Sequence, residues 1–160
     1  MAGVALNNST FNQSVAAGHV TYERWEFTGS YTPTYPIDYD GDGIPDGWGG
    51  GDPIYDWIPH ATDARINGVC IASPSNVYVN GFNPVLQGDA TNEIDSYDPP
   101  SGTVRNIVAH SGANGSVSAG NNRNVYISGK LVAVNGSNVT THAGTTTTVN
   151  QGSSNVFIGG

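Results

Sequence analysis

Gly152-Ser153-Ser154-Asn155-Val156-Phe157-Ile158-Gly159-Gly160 is the last of three statements of one phrase. The earlier copies are Ser73-Pro74-Ser75-Asn76-Val77-Tyr78-Val79-Asn80-Gly81 and Asn121-Asn122-Arg123-Asn124-Val125-Tyr126-Ile127-Ser128-Gly129. Each has a polar turn, then Asn-Val, an aromatic residue, a β-branched residue and a nearby Gly. Such a repeat fixes the architecture before any other signal. β-Branched and aromatic side chains bounded by Gly, Ser and Asn form short strands between turns. Another strand precedes each copy: Val69-Cys70-Ile71, Ser116-Val117-Ser118 and Thr148-Val149-Asn150. That register sets Cys70 opposite Val117 and Val149, as a core residue. A two-stranded ribbon is marginal in water. Three ribbons packed about one axis would bury their Val, Ile and aromatic residues in a narrow, tapering core. The expected fold is a small all-β, conical, pseudo-threefold structure, with no window of helical periodicity.

The 160 residues fit one domain with an insertion. Lys and Arg number 5 against 13 Asp and Glu, a formal charge of -8, which argues against nucleic acid or an anionic membrane as partner. A single cysteine, Cys70, excludes an internal disulfide. No run is long and apolar enough to span a bilayer, and Met1–Thr10 lacks the basic start and apolar stretch of a secretory signal. The repeat texture covers residues 1–20 and 66–160. Residues 21–65 differ: they hold all three tryptophans, Trp25, Trp48 and Trp57, and are expected to form an insertion with its own packed aromatic core. The acidic link Gln87 to Asn106, with Pro99-Pro100, is expected to be a loop.

The four histidines are His19, His60, His110 and His142. His110 precedes Val125 by 15 residues, His142 precedes Val156 by 14, and His60 precedes Val77 by 17. A pseudo-threefold axis would bring such histidines together, and converging imidazoles make a tetrahedral site suited to zinc, with iron second. No nucleophile, general base or carboxylate pair of catalytic spacing stands nearby, so the expectation is a structural site and no enzyme.

Together, the three phrases, the Gly18-His19 pair, the histidine before each later repeat and the terminal Gly-Ser-Ser-Asn-Val-Phe-Ile-Gly-Gly resemble the PAAR-repeat proteins. More narrowly, they are similar to the PAAR-type tip proteins of contractile bacteriophage tails. The resemblance covers residues 1–20 and about 66–160. It implies a conical β structure capping, one copy per spike, the trimeric β-helical spike of a tail baseplate or related injection system. It also implies location in the virion, transient contact with the bacterial envelope, and a zinc or iron ion held near the apex by histidines and a cysteine. His19, His110 and His142 carry over directly. The family's Arg-x-Gly-Asp is reduced to Gln87-Gly88-Asp89 and Asn135-Gly136-Ser137. The fourth ligand falls to His60 first and Cys70 second.

Asp38-Tyr39-Asp40-Gly41-Asp42-Gly43-Ile44-Pro45-Asp46 sets carboxylates at alternate positions around a Gly turn, the start of an EF-hand-like loop. It also resembles the calcium loops of thrombospondin type 3 repeats. Calcium would be held by Asp38, Asp40, Asp42, Asp46 and the Ile44 carbonyl, and would stiffen the insertion. The alternative function is a calcium-dependent carbohydrate- or receptor-binding module. Exposed tryptophans would favour it, whereas burial is the expected outcome.

Overall fold

The computed structural model describes residues 1–121 and 123–159; Asn122 of the second phrase and Gly160 of the third lie outside the described residues. The chain is all-β, with no helix among the described residues. Its strands are β1 (Ala2–Gly3), β2 (Ser14–Tyr31), β3 (Tyr35–Ile37), β4 (Gly47–Gly49), β5 (Pro53–Ile71), β6 (Ala90–Ser96) and β7 (Val104–Val108). There follow β8 (Ser111–Ala113), β9 (Ser116–Val117), β10 (Tyr126–Ile127), β11 (Lys130–Leu131), β12 (Asn138–Thr140), β13 (Thr146–Thr148) and β14 (Phe157–Ile158). Among the described residues, no helix is long and apolar enough to cross a membrane.

Two compact units share these strands. The first takes Met1–Val20, Ala61–Asp98 and Val108–Gly160; the second takes Thr21–His60 and Pro99–Ile107. The second unit therefore ends at His60, not at residue 65, and it gains 99–107. The stretch 87–106 is not a loop, because β6 and most of β7 lie in it.

The first unit is built on a closed ring of main-chain hydrogen bonds. Ala5 N–H donates to Ala133 O (3.0 Å), Ala133 N–H to Val85 O (2.8 Å), and Val85 N–H to Ala5 O (2.9 Å). All three residues are fully buried. Around the ring, Val4 bridges Val134, Leu6 bridges Pro84, and Leu86 bridges Val132. The ring thus joins three copies of one hexapeptide, beginning at Val4, Pro84 and Val132.

Each copy then makes the same turn. The N–H of Ser9, Asp89 and Ser137 donates to the carbonyl of Leu6, Leu86 and Val134 at 2.8, 3.0 and 2.9 Å. In return, the Leu6, Leu86 and Val134 N–H groups donate to Ser9 Oγ, Asp89 Oδ2 and Ser137 Oγ. The third turn position has φ of 69° at Asn8, 89° at Gly88 and 92° at Gly136, a left-handed conformation that Asn and Gly tolerate best. Beyond the turn, the N–H of Cys70, Val117 and Val149 donates to the carbonyl of Ser9, Asp89 and Ser137, each at 2.9 Å.

The quoted phrases form the hairpins that enter this frame. Asn80-Gly81 and Ser128-Gly129 both have positive φ at both positions, the geometry that matches a two-residue turn to the strand twist. They reverse the chain between Val79 and Phe82, and between β10 and β11. In the third copy the return strand is β1, paired with β14 through Ala2–Ile158 and Gly3–Phe157.

Three apolar clusters run through the unit. Val4, Leu86 and Val132 pack with the hairpin residues Val79, Ile127 and Ile158. Ala5, Phe11, Cys70, Val85, Val117, Ala133, Val139 and Val149 form the central cluster. Ala16, Val20, Ala64 and Ile66 pack with Tyr97 and with Ala143, next to His142.

Two of the three ring residues are alanine, where three backbones meet. Ala5→Val is expected to lower stability by about 1–3 kcal/mol through overpacking. Pairing it with Val85→Ala, which restores the summed volume, should recover most of the loss in thermal denaturation. A neutral Ala5→Val single variant would show that the axis has room to spare.

Candidate metal centre

His19 lies on β2, His110 just before β8, and His142 in the turn between β12 and β13. Together with Asp95 of β6 they offer ligand atoms all within 4.8 Å of one another. The ring centroids are 5.1 Å apart for His19–His110, 5.0 Å for His19–His142 and 5.1 Å for His110–His142. His19 Nε2 and His142 Nε2 are 3.1 Å apart. Nitrogens about 2.0–2.1 Å from a tetrahedral zinc ion stand about 3.3 Å apart, with ring centroids about 5.2 Å apart. The three rings fit that geometry, and by donor set also suit iron(II).

The carboxylates behind the rings set their tautomers. His142 N–H and Nδ1 both face Glu93 Oε2, at 2.9 and 2.6 Å. His110 N–H and Nδ1 both face Asp95 Oδ2, at 2.9 and 3.0 Å. A carboxylate only accepts, so in both rings Nδ1 carries the proton and Nε2 keeps the lone pair needed for a metal. Asp95 Oδ1 is buried with no hydrogen-bond partner and lies 3.2 Å from His142 Nε2. Burial is the largest influence on the Asp95 carboxyl and pushes its pKa up. Hydrogen bonds from the His110 N–H and ring lead the influences that outweigh it and leave the pKa below the usual aspartate value.

Two residues expected at this centre are elsewhere. His60 belongs to the second unit, where its Nε2 is 2.9 Å from Glu26 Oε2 and its ring stacks on Tyr22 at 5.6 Å. Its sequence spacing matched only because spacing ignores which strand continues out of the unit. Cys70 is fully buried in the central apolar cluster, where burial, and then the charges of Asp89 and Glu93, push its thiol up to about 12. Asp95 was missed because residues 87–106 looked like an acidic loop. The legible signal was the alternation Thr91, Glu93, Asp95, which on a strand puts all three on one face; all three are buried while Ile94 is exposed.

In the second unit, residues 38–46 join β3 to β4. Asp38, Asp40 and Asp42 offer oxygens within 4.8 Å of one another. Asp38 accepts from the Gly43 and Gly41 N–H groups, which hold its carboxyl below the usual range. Asp40 accepts from Asp42 N–H, and Asp42 from Ile44 N–H. Asp46 stands apart from the trio and accepts from Tyr39 N–H at 2.8 Å.

The tryptophans are not a buried core. Trp25 is 44% and Trp48 71% exposed, and Trp57 is half-buried. Trp25 packs on Trp57 and Tyr55, and the Arg105 guanidinium lies 4.2 Å over the Trp57 ring. No protein-family profile, curated protein or solved structure matches the chain.

With its thiol buried and strongly protonated, Cys70 is expected to resist alkylation in the native protein at neutral pH and to react fully on unfolding. Fast native labelling would place the thiol outside the core.

Proposed function

We propose that this chain is a structural tip protein for the trimeric central spike of a contractile phage tail or related injection system. In this reading it acts mechanically, as one copy per spike, and catalyses nothing. The observation that carries it is threefold sameness on an apolar surface. Val77, Val125 and Val156, one from each phrase, are 42%, 41% and 37% exposed. With Val79, Ile127 and Ile158 they line one concavity of about 460 Å³. The neighbouring Tyr78, Tyr126 and Phe157 are also largely exposed. Contiguous exposed apolar surface marks an interaction site. A single chain that repeats one surface three times is suited to a partner with threefold symmetry. Unpaired strand edges on such a partner would add main-chain hydrogen bonds.

His19, His110 and His142 would hold zinc, or iron second, and pin strands of different copies together. Such an ion adds stability to a core this narrow. Asp38, Asp40 and Asp42 would hold calcium in the second unit. The exposed Trp25 and Trp48 favour a second reading for that unit alone, the binding of carbohydrate or a receptor at the envelope.

Light scattering is expected to find the 16.6 kDa chain monomeric alone and bound one to three with the spike trimer of its own particle. Val125→Asp should weaken that complex by about thirtyfold or more, the loss of a central apolar contact. Trp25→Ala should leave it intact. A stable homotrimer, or a complex indifferent to Val125→Asp, would sink the tip reading.

Calcium added to chelator-treated protein is expected to raise the unfolding temperature, and Asp40→Asn to abolish the rise. No calcium response in calorimetry would leave the trio as a solvated turn.

A further inference from the structure

We infer that the fourth metal ligand is the Asp95 carboxylate, through Oδ1, and that Glu93 is its buried counter-charge and the positioning group for His142. The inference rests on the metal reading above, but names the two carboxylates that define this site. A site of three imidazoles and one carboxylate needs no thiolate, so it departs from the His-and-Cys set implied by the family resemblance.

Three observations carry it. First, Asp95 Oδ1 is a buried oxygen without a hydrogen-bond partner, on a side chain with no exposed surface. It lies 3.2 Å from His142 Nε2, which itself lies 3.1 Å from His19 Nε2. With the His142 ring neutral and its proton held on Nδ1 by Glu93, lone pairs face one another at these distances, which is repulsive unless a metal ion or a further proton lies among them. Second, Glu93 and Asp95 are both buried, and among the described residues neither has a Lys or Arg partner. Buried charges require compensation. One divalent ion balances two carboxylates. Third, the roles divide by oxygen. Both Glu93 oxygens are engaged, Oε1 by Thr91 and Oε2 by His142. Asp95 uses Oδ2 for His110 and keeps Oδ1 free.

The carboxylate also bears on which metals bind. An oxygen donor in place of a thiolate disfavours soft ions such as copper(I), while the three imidazoles keep the site suited to zinc and iron(II).

The test uses the full chain, stripped of metal and titrated with cobalt(II), read by visible absorption. The wild type should give a tetrahedral cobalt spectrum without a thiolate charge-transfer band, unchanged in Cys70→Ala. Asp95→Asn should change the band shape and weaken binding by more than the roughly 10–100-fold typical of losing an outer-shell partner. Glu93→Gln should keep the wild-type band shape and weaken binding within that range. Circular dichroism on each variant checks that it is folded; should Asp95→Asn fail to fold, Asp95→Glu replaces it and should still shift the bands. A thiolate band lost in Cys70→Ala, or a folded Asp95 variant with wild-type bands and affinity, would overturn the assignment while leaving a metal site in place. A wild type that binds no cobalt would overturn the metal reading itself.

Discussion

Everything in the first unit hangs on three main-chain hydrogen bonds that close on themselves. Ala5, Val85 and Ala133 each donate to one neighbour and accept from the other, so no strand edge is left open at the axis. Buried backbone groups must be paired, and here the pairing cannot be satisfied by any two copies alone. That constraint explains the identical turn after each copy and the identical anchoring of Cys70, Val117 and Val149. It also explains why β1 must pair with β14. The third hairpin would otherwise lack its return strand, and the ring would lack the support of its flanking bridges.

Once the ring is closed, the strands leaving it are committed in direction, and this is what brings acids into the interior. On β6 the inward positions fall to Thr91, Glu93 and Asp95, while Ile94 faces outward. A strand that only needed to pack would reverse that assignment, since buried polar groups are unfavourable unless partnered. Gly115 belongs to the same arrangement. A side chain there would collide with Glu93 Oε1 and Thr140 O, so the glycine makes room for a buried carboxylate. Local disagreement with a packing rule is expected where a site is being built.

The repeats, the all-β fold and the register of Cys70 with Val117 and Val149 were legible because they are properties of short-range pattern. Strand period and turn residues are written in neighbouring letters. The limits were long-range. His60 matched the spacing of His110 and His142, yet it lies beyond the point where β5 passes into the second unit, and no local pattern marks that point. Asp95 and Glu93 were hidden for a different reason. Acidic residues near Pro99-Pro100 look like solvated loop, and only the two-residue alternation separates a polar inward face from a polar surface. The exposure of Trp25 and Trp48 was likewise unreadable, because a cluster of aromatics is equally compatible with a core and a face.

The centre also breaks the symmetry that the ring imposes. In the second and third copies the histidine stands seven residues before the anchored residue: His110 before Val117, and His142 before Val149. The equivalent place in the first copy, seven before Cys70, holds Asp63, and the third imidazole comes instead from the outgoing strand, as His19. The carboxylates follow the break. Asp95 holds the N–H of His110, Glu93 that of His142, and Asp63 that of Gly18, next to His19. A main-chain N–H at or next to each histidine is therefore held by an acid, whichever segment supplies the ring. This arrangement tolerates very unequal connections. Ser9 and Cys70 are anchored as Ser137 and Val149 are, although the second unit is inserted between the first pair. The ends of a connection fixed in this way meet at the same place however long it is, and lengthening it adds only slowly to the entropy of closure. The frame can thus carry an insertion without moving His19, Asp95, His110 and His142 apart.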